Sequence, residues 1–97
     1  MRKTGVKLTV NFFREGRKFV AHSPALDIST CGDSFEEAKR NFAEMADIFI
    51  DETIEMGTLD SVLKSLGWKK AYRPKPHWKP PVHLAITQEE VRVPVNG

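Results

Sequence analysis

The 97-residue sequence predicts a small α+β domain in which a three-stranded antiparallel meander at the N-terminus packs on one long helix, with a short second helix and C-terminal strands after it. Three observations carry this expectation. Apolar and polar residues alternate in three short segments within the first 31 positions, the pattern of half-buried strands. Gly32-Asp33-Ser34 then opens a long stretch of helical periodicity. Gly57 and Gly67 are placed to close that helix and a shorter one.

Val6, Leu8, Val10 and Phe12 alternate with Lys7, Thr9, Asn11 and Phe13, which predicts a first strand with one buried face. Glu15-Gly16 supplies a turn. Lys18 to His22 gives a second strand, with Phe19 and Ala21 on one face and Val20 on the other. Ser23-Pro24 interrupts it, because proline donates nothing to a ladder. Asp27 to Cys31 is the third strand. Ser34 followed by Glu37 is a capping-box pattern, and the acids at Glu36 and Glu37 suit the positive end of the helix dipole.

The helix is expected to run to about Met56. At 100° per residue, Phe35, Ala38, Phe42, Met45, Ala46, Phe49, Thr53 and Met56 share a core-facing stripe. Glu37, Glu44, Asp47, Asp51 and Glu55 share the opposite face, and Ala43, Ile50 and Ile54 form a second apolar flank. Thr58 caps a shorter helix with Leu59, Val62, Leu63 and Leu66 on its apolar side. The domain is therefore placed at residues 1–67. Trp68 to Pro81 has four prolines and no periodicity and reads as an extended arm over 68–81. Val82–Ile86 and Val91–Val95 alternate again and suggest a C-terminal hairpin within 82–97.

The chain is long enough for one domain, burying roughly 60–65% of its unfolded surface, and association would help it. No apolar run approaches the roughly 20 residues of a membrane span. The first ten residues have no apolar h-region, so no signal peptide is expected. With the single Cys31 unable to form an internal disulfide, a cytoplasmic location is the simplest expectation. The net charge of +2 argues for no partner, but its distribution is uneven. Nine acids lie between Asp33 and Asp60 against only Lys39 and Arg40, whereas Lys64 to His83 holds six bases and no acid.

Little in this sequence resembles catalysis. His22, Ser23 and Cys31 lie close together, but no nucleophile motif frames them. The plainer reading is a decorated strand end and a small buried cysteine. His22, Cys31, His77 and His83 lack the tight pairs of a zinc site, and neither metal nor cofactor is expected. Glu44, Asp47, Asp51 and Glu55 follow i, i+3 and i+4 steps. Such a run is a solvated helix face, a docking surface for a basic protein, or carboxylates for acid–base or metal chemistry. In the arm, Lys69, Lys70, Arg73, Lys75 and Lys79 interleave with Trp68, Tyr72 and Trp78. Bases among aromatics suit phosphates and unpaired nucleobases, although tryptophans packed on the domain or on a second subunit are the favoured reading.

The segment Phe19-Val20-Ala21-His22-Ser23-Pro24-Ala25-Leu26, followed by Cys31-Gly32-Asp33-Ser34-Phe35-Glu36-Glu37-Ala38, resembles the HicB-like antitoxins. The resemblance covers roughly Val6 to Leu66. It implies a degenerate ribonuclease-H-like fold without catalytic acids, and a protein that binds and blocks a small HicA-type ribonuclease toxin. It also implies an oligomer. Many members of that family bind operator DNA through C-terminal helices. After Gly67 this chain has no amphipathic helix of the needed length, so the DNA-binding half is not expected here.

These readings converge on a non-enzymatic protein, a homodimer or higher homo-oligomer, that neutralises a HicA-type toxin by masking its RNA site. Glu44, Asp47, Asp51 and Glu55 are the expected toxin contacts. Ala43, Ile50, Ile54, Val82, Leu84 and Ile86 are the expected subunit contacts. The alternatives are a solitary HicB-like protein with another partner, or an RNA- or DNA-binding module using Lys69, Lys70, Arg73, Lys75, Trp78 and Lys79. No membrane partner is expected.

Overall fold

Local chemistry lays down the elements in the expected order. The computed structural model describes residues 3–96; Met1, Arg2 and Gly97, the outermost residues of the expected end segments, lie outside the described residues. Three strands, β1 (Asn11–Glu15), β2 (Lys18–Ser23) and β3 (Ile28–Gly32), form an antiparallel meander in the order β1-β2-β3. Helix α1 (Phe35–Met56) packs across β2 and β3, and α2 (Leu59–Ser65) follows it. A separate two-stranded ribbon pairs β4 (Lys69–Ala71) with β5 (His77–Lys79). The fold is α+β as expected.

β1 and β2 are joined by a two-residue turn, Gly16-Arg17, with Gly16 at φ 63°. Glycine at the first central position of such a turn matches the twist of the strands it joins. β1 begins at Asn11, not Val6, because β2 ends opposite it at Ser23 and Pro24 turns the chain away. Leu8 and Val10 still pack against the core, but outside a ladder. β3 likewise starts one residue later than its alternation suggests, since Asp27 is left-handed (φ 53°) in the loop before it.

Ser34 caps α1 by accepting from the Glu37 amide at 3.0 Å, and the Glu37 carboxylate accepts in return from the Asp33 amide. Gly57 (φ 70°) closes α1: its N–H bonds Ile54 O and the Thr58 N–H bonds Thr53 O. This double closure recurs at Gly67, where Gly67 N–H bonds Lys64 O and Trp68 N–H bonds Leu63 O. Both are Schellman motifs.

Ala21, Leu26, Ile28, Ala38, Phe42, Leu63 and Trp68 form the buried core. The helix stripe is narrower than its periodicity suggests. Ala38, Phe42 and Thr53 are buried and Ala46 and Phe49 half-buried, but Phe35 and Met45 are exposed and Met56 is 72% exposed. A 22-residue helix spans about 33 Å, whereas five-residue strands span about 17 Å, so α1 outruns the sheet. Thr53 tolerates burial because its hydroxyl donates to the Phe49 and Ile50 carbonyls. Gly32 lets β3 and α1 meet, since a Cβ there would stand 2.6 Å from the Ala38 nitrogen.

Two expectations about the C-terminal third are corrected. The domain does not end at residue 67: Trp68 belongs to the core and donates its indole N–H to the Ala25 carbonyl at 2.7 Å. The expected arm 68–81 instead contains the ribbon, with Lys69 opposite Lys79, Lys70 opposite Trp78 and Ala71 opposite His77. The hairpin expected from Val82–Ile86 and Val91–Val95 does not form; residues 80–96 contain no strand. Alternation stabilises a hairpin only when its apolar face finds a surface, and an isolated pair of strands is marginal in water.

Candidate functional interface

The outward face of α1 brings the four expected contact carboxylates onto one surface. Glu44, Asp47, Asp51 and Glu55 are all exposed. The N-terminal segment reaches this face, and the Lys3 ammonium hydrogen-bonds Asp51. That bond, reinforced by charge attraction to Asp51 and more weakly to Asp47, raises the Lys3 pKa above its ordinary value. Asp51 is thus partly neutralised within the chain.

An apolar spot interrupts the acidic face. Ile48 is 50% exposed, one helical turn from Glu44, Asp51 and Glu52. Beside it Met45 is also exposed, and the two residues form one wall of a ≈ 360 Å3 groove against Ser29, Thr30 and Cys31 of β3. Asn41 crosses the groove, its amide donating to the Cys31 carbonyl at 2.9 Å on the free edge of β3. Ile48 carried a signal in the sequence: it is an isoleucine at i+4 from Glu44 and i−3 from Asp51. Cys31, expected to be buried, is exposed, because β3 is an edge strand and its odd-numbered positions look away from the core.

The six expected subunit contacts are divided. Ala43 is exposed, Ile50 and Ile54 are half-buried, and Val82, Leu84 and Ile86 are almost fully exposed.

The tryptophans among these bases pack on the domain, in line with the favoured reading, and leave the bases at the surface. Lys69, Arg73, Lys75 and Lys79 are exposed on the ribbon or in its connecting loop. Lys70 is held in place, 3.3 Å from Asp60 and above the Trp78 ring. Trp78 is half-buried against the core and Trp68 is fully committed to it, which leaves Tyr72 as the exposed aromatic of the ribbon.

The remaining polar candidates do not form a reactive centre. His22 and Ser23 are adjacent in a strand and therefore face opposite sides of the sheet. Ser23 is fully buried and its hydroxyl has no partner among the described residues, whereas His22 lies 3.7 Å from Asp27. The His77 ring nitrogen contacts the Lys75 carbonyl. Among the described residues no three of His, Cys, Asp and Glu stand close enough to hold a metal ion, and no helix is long and apolar enough to cross a membrane. No protein-family model matches the chain, and neither the curated proteins nor the solved structures gave a match.

Proposed function

We propose that the chain is a non-catalytic binding protein that docks a small basic protein of the HicA ribonuclease-toxin type on the outward face of α1 and masks its RNA site. The supporting observation is the exposed Ile48–Met45 pair set among Glu44, Asp47 and Glu55. Interfaces draw affinity from desolvated apolar anchors, while surrounding charges steer encounter and reject wrong partners. A surface evolved to bind RNA is basic, and a row of carboxylates is its complement. The toxin-type partner itself rests on the HicB resemblance of Phe19 to Ala38.

The test is co-purification and growth rescue with the product of the small open reading frame next to this one. The wild type should form a complex and rescue growth. Ile48→Asp should abolish the complex, and Glu44→Lys with Asp47→Lys should weaken it at least tenfold. A wild-type chain that neither binds nor rescues overturns the reading.

A second reading is favoured by the ribbon, where Lys69 faces Lys79 and Arg73 and Lys75 occupy the connecting loop. Four exposed bases on one projection suit a phosphate backbone. Salt-sensitive binding to RNA or DNA, lost on joint substitution of Lys69 and Lys79 by Ala, would support it; no binding at low salt would remove it.

A further inference from the structure

The C-terminal arm has the alternation of a strand but no sheet to join. Val82, Leu84, Ile86, Val91, Val93 and Val95 alternate with other residues, and each is 72–92% exposed. The molecule is elongated, 57 Å against 29 and 23 Å in the other directions. Soluble monomers rarely leave so much contiguous apolar surface in water.

The same chain carries an open sheet edge. In a hairpin with a two-residue turn, Glu15 and Lys18 exchange hydrogen bonds, and so do Phe13 with Val20 and Asn11 with His22. The backbone groups of Phe12 and Arg14 therefore point away from β2. No hydrogen bond among the described residues engages them. The other edge is different: on β3, the Asn41 amide already takes the Cys31 carbonyl, and α1 lies alongside. β1 is also flanked by uncovered aromatic surface, with Phe13 half-exposed and Phe35, 43% exposed, packed in a tilted pair on Phe12 with ring centroids 4.6 Å apart. β1 and Val82–Ile86 are both five residues long.

We propose that Val82–Ile86 of one chain adds as a fourth strand to the β1 edge of a second copy, and that the exchange is reciprocal. The arm is well placed for this. Pro80 to His83 stand across a ≈ 220 Å3 cleft from Lys7–Thr9, the segment that leads into β1, so the arm departs from beside the edge that its counterpart would occupy. A two-fold axis between two such edges makes both dockings equivalent and closes the assembly. Main-chain hydrogen bonds supply the register, and Val82, Leu84 and Ile86 cover one aromatic flank of the edge. Val82, Leu84 and Ile86 present on the order of 300 Å2 per docked strand, so two strands and the surfaces they cover bury about 1,200 Å2, the size at which specific interfaces begin.

Sedimentation equilibrium and backbone amide exchange on the full chain test this together. The wild type should sediment as twice its 11.0 kDa mass. The Phe12 and Arg14 amides should exchange at least tenfold more slowly than in the variant carrying Leu84→Asp and Ile86→Asp. That double variant should be monomeric with an unchanged far-UV spectrum, since Leu84 and Ile86 are 91% and 79% exposed in the single chain. Arg14→Pro, which removes only an outward-facing donor, should also give a monomer. A monomeric wild type overturns the proposal, including one with protected Phe12 and Arg14 amides, which would mean docking within one chain. A double variant that stays dimeric overturns it too, as do freely exchanging Phe12 and Arg14 amides in a wild-type dimer. The exchange measurement decides the matter even if Arg14→Pro fails to fold.

Discussion

Replacing Trp68 separates a structural role for this residue from the free arm that its proline-rich surroundings suggest. Its ring is buried with Leu63, Leu26 and Phe42, and its N–H ties the end of α2 to the Ala25 carbonyl, 43 positions away in sequence. Trp68→Phe keeps most of the volume but leaves that half-buried carbonyl unpaired, at a cost of about 1–3 kcal/mol. Trp68→Ala adds a large cavity and should cost about 3–5 kcal/mol. A domain of this length holds on the order of 5–15 kcal/mol in total, so the alanine variant approaches the limit of folding. Each kcal/mol corresponds to roughly 4–8 °C in Tm at this size. Urea unfolding followed by far-UV circular dichroism is the suitable assay, because the substitution itself changes the indole signal and leaves only Trp78. The slope with denaturant should stay constant while the midpoint falls. If Trp68→Phe lies within about 0.5 kcal/mol of wild type and Trp68→Ala within about 1 kcal/mol, Trp68 is not a core residue.

Four further outcomes follow from single groups. Gly32→Ala should lower stability by about 1–3 kcal/mol in thermal or urea melts, because the added carbon meets backbone atoms of α1 that cannot move aside. Gly57→Ala meets open space, so only its left-handed φ of 70° opposes it, and about 1–2 kcal/mol is expected in the same melts. Ser23→Ala should leave stability unchanged or raise it by about 1 kcal/mol, since the buried hydroxyl has no partner to lose; a loss above that would show a bond to an ordered water. Lys3 and Lys18 are raised above their ordinary pKa by hydrogen bonds and charge attraction to Asp51 and Asp33. What these pairs contribute is therefore complete at neutral pH and is lost as strongly alkaline pH deprotonates them, so Lys3→Met with Lys18→Met should flatten the alkaline fall in Tm.

The limits of sequence reading show at particular residues. Ser34, Gly57 and Gly67 act locally: a hydroxyl beside an orphan amide, or a backbone that must turn left-handed, requires no knowledge of the rest of the chain. The meander and the two helices were legible for that reason, as was the face shared by Glu44, Asp47, Asp51 and Glu55. Cys31, Met45 and Ile48 were less legible. Their exposure depends on β3 lying at an edge and on a 22-residue helix outrunning five-residue strands.

Alternation and helical period thus determined which segments form elements and which side of each is apolar. Only the tertiary structure decided which apolar side finds a partner. The tryptophans of the arm read as packing on the domain or on a second subunit; the tertiary structure decided for the domain, because Gly67 closes the turn after α2 and brings Trp68 over Ala25. Val82–Ile86 and Val91–Val95 alternate as a strand does, yet form none, because burial rather than pattern stabilises a strand and their apolar side chains stay 72–92% exposed.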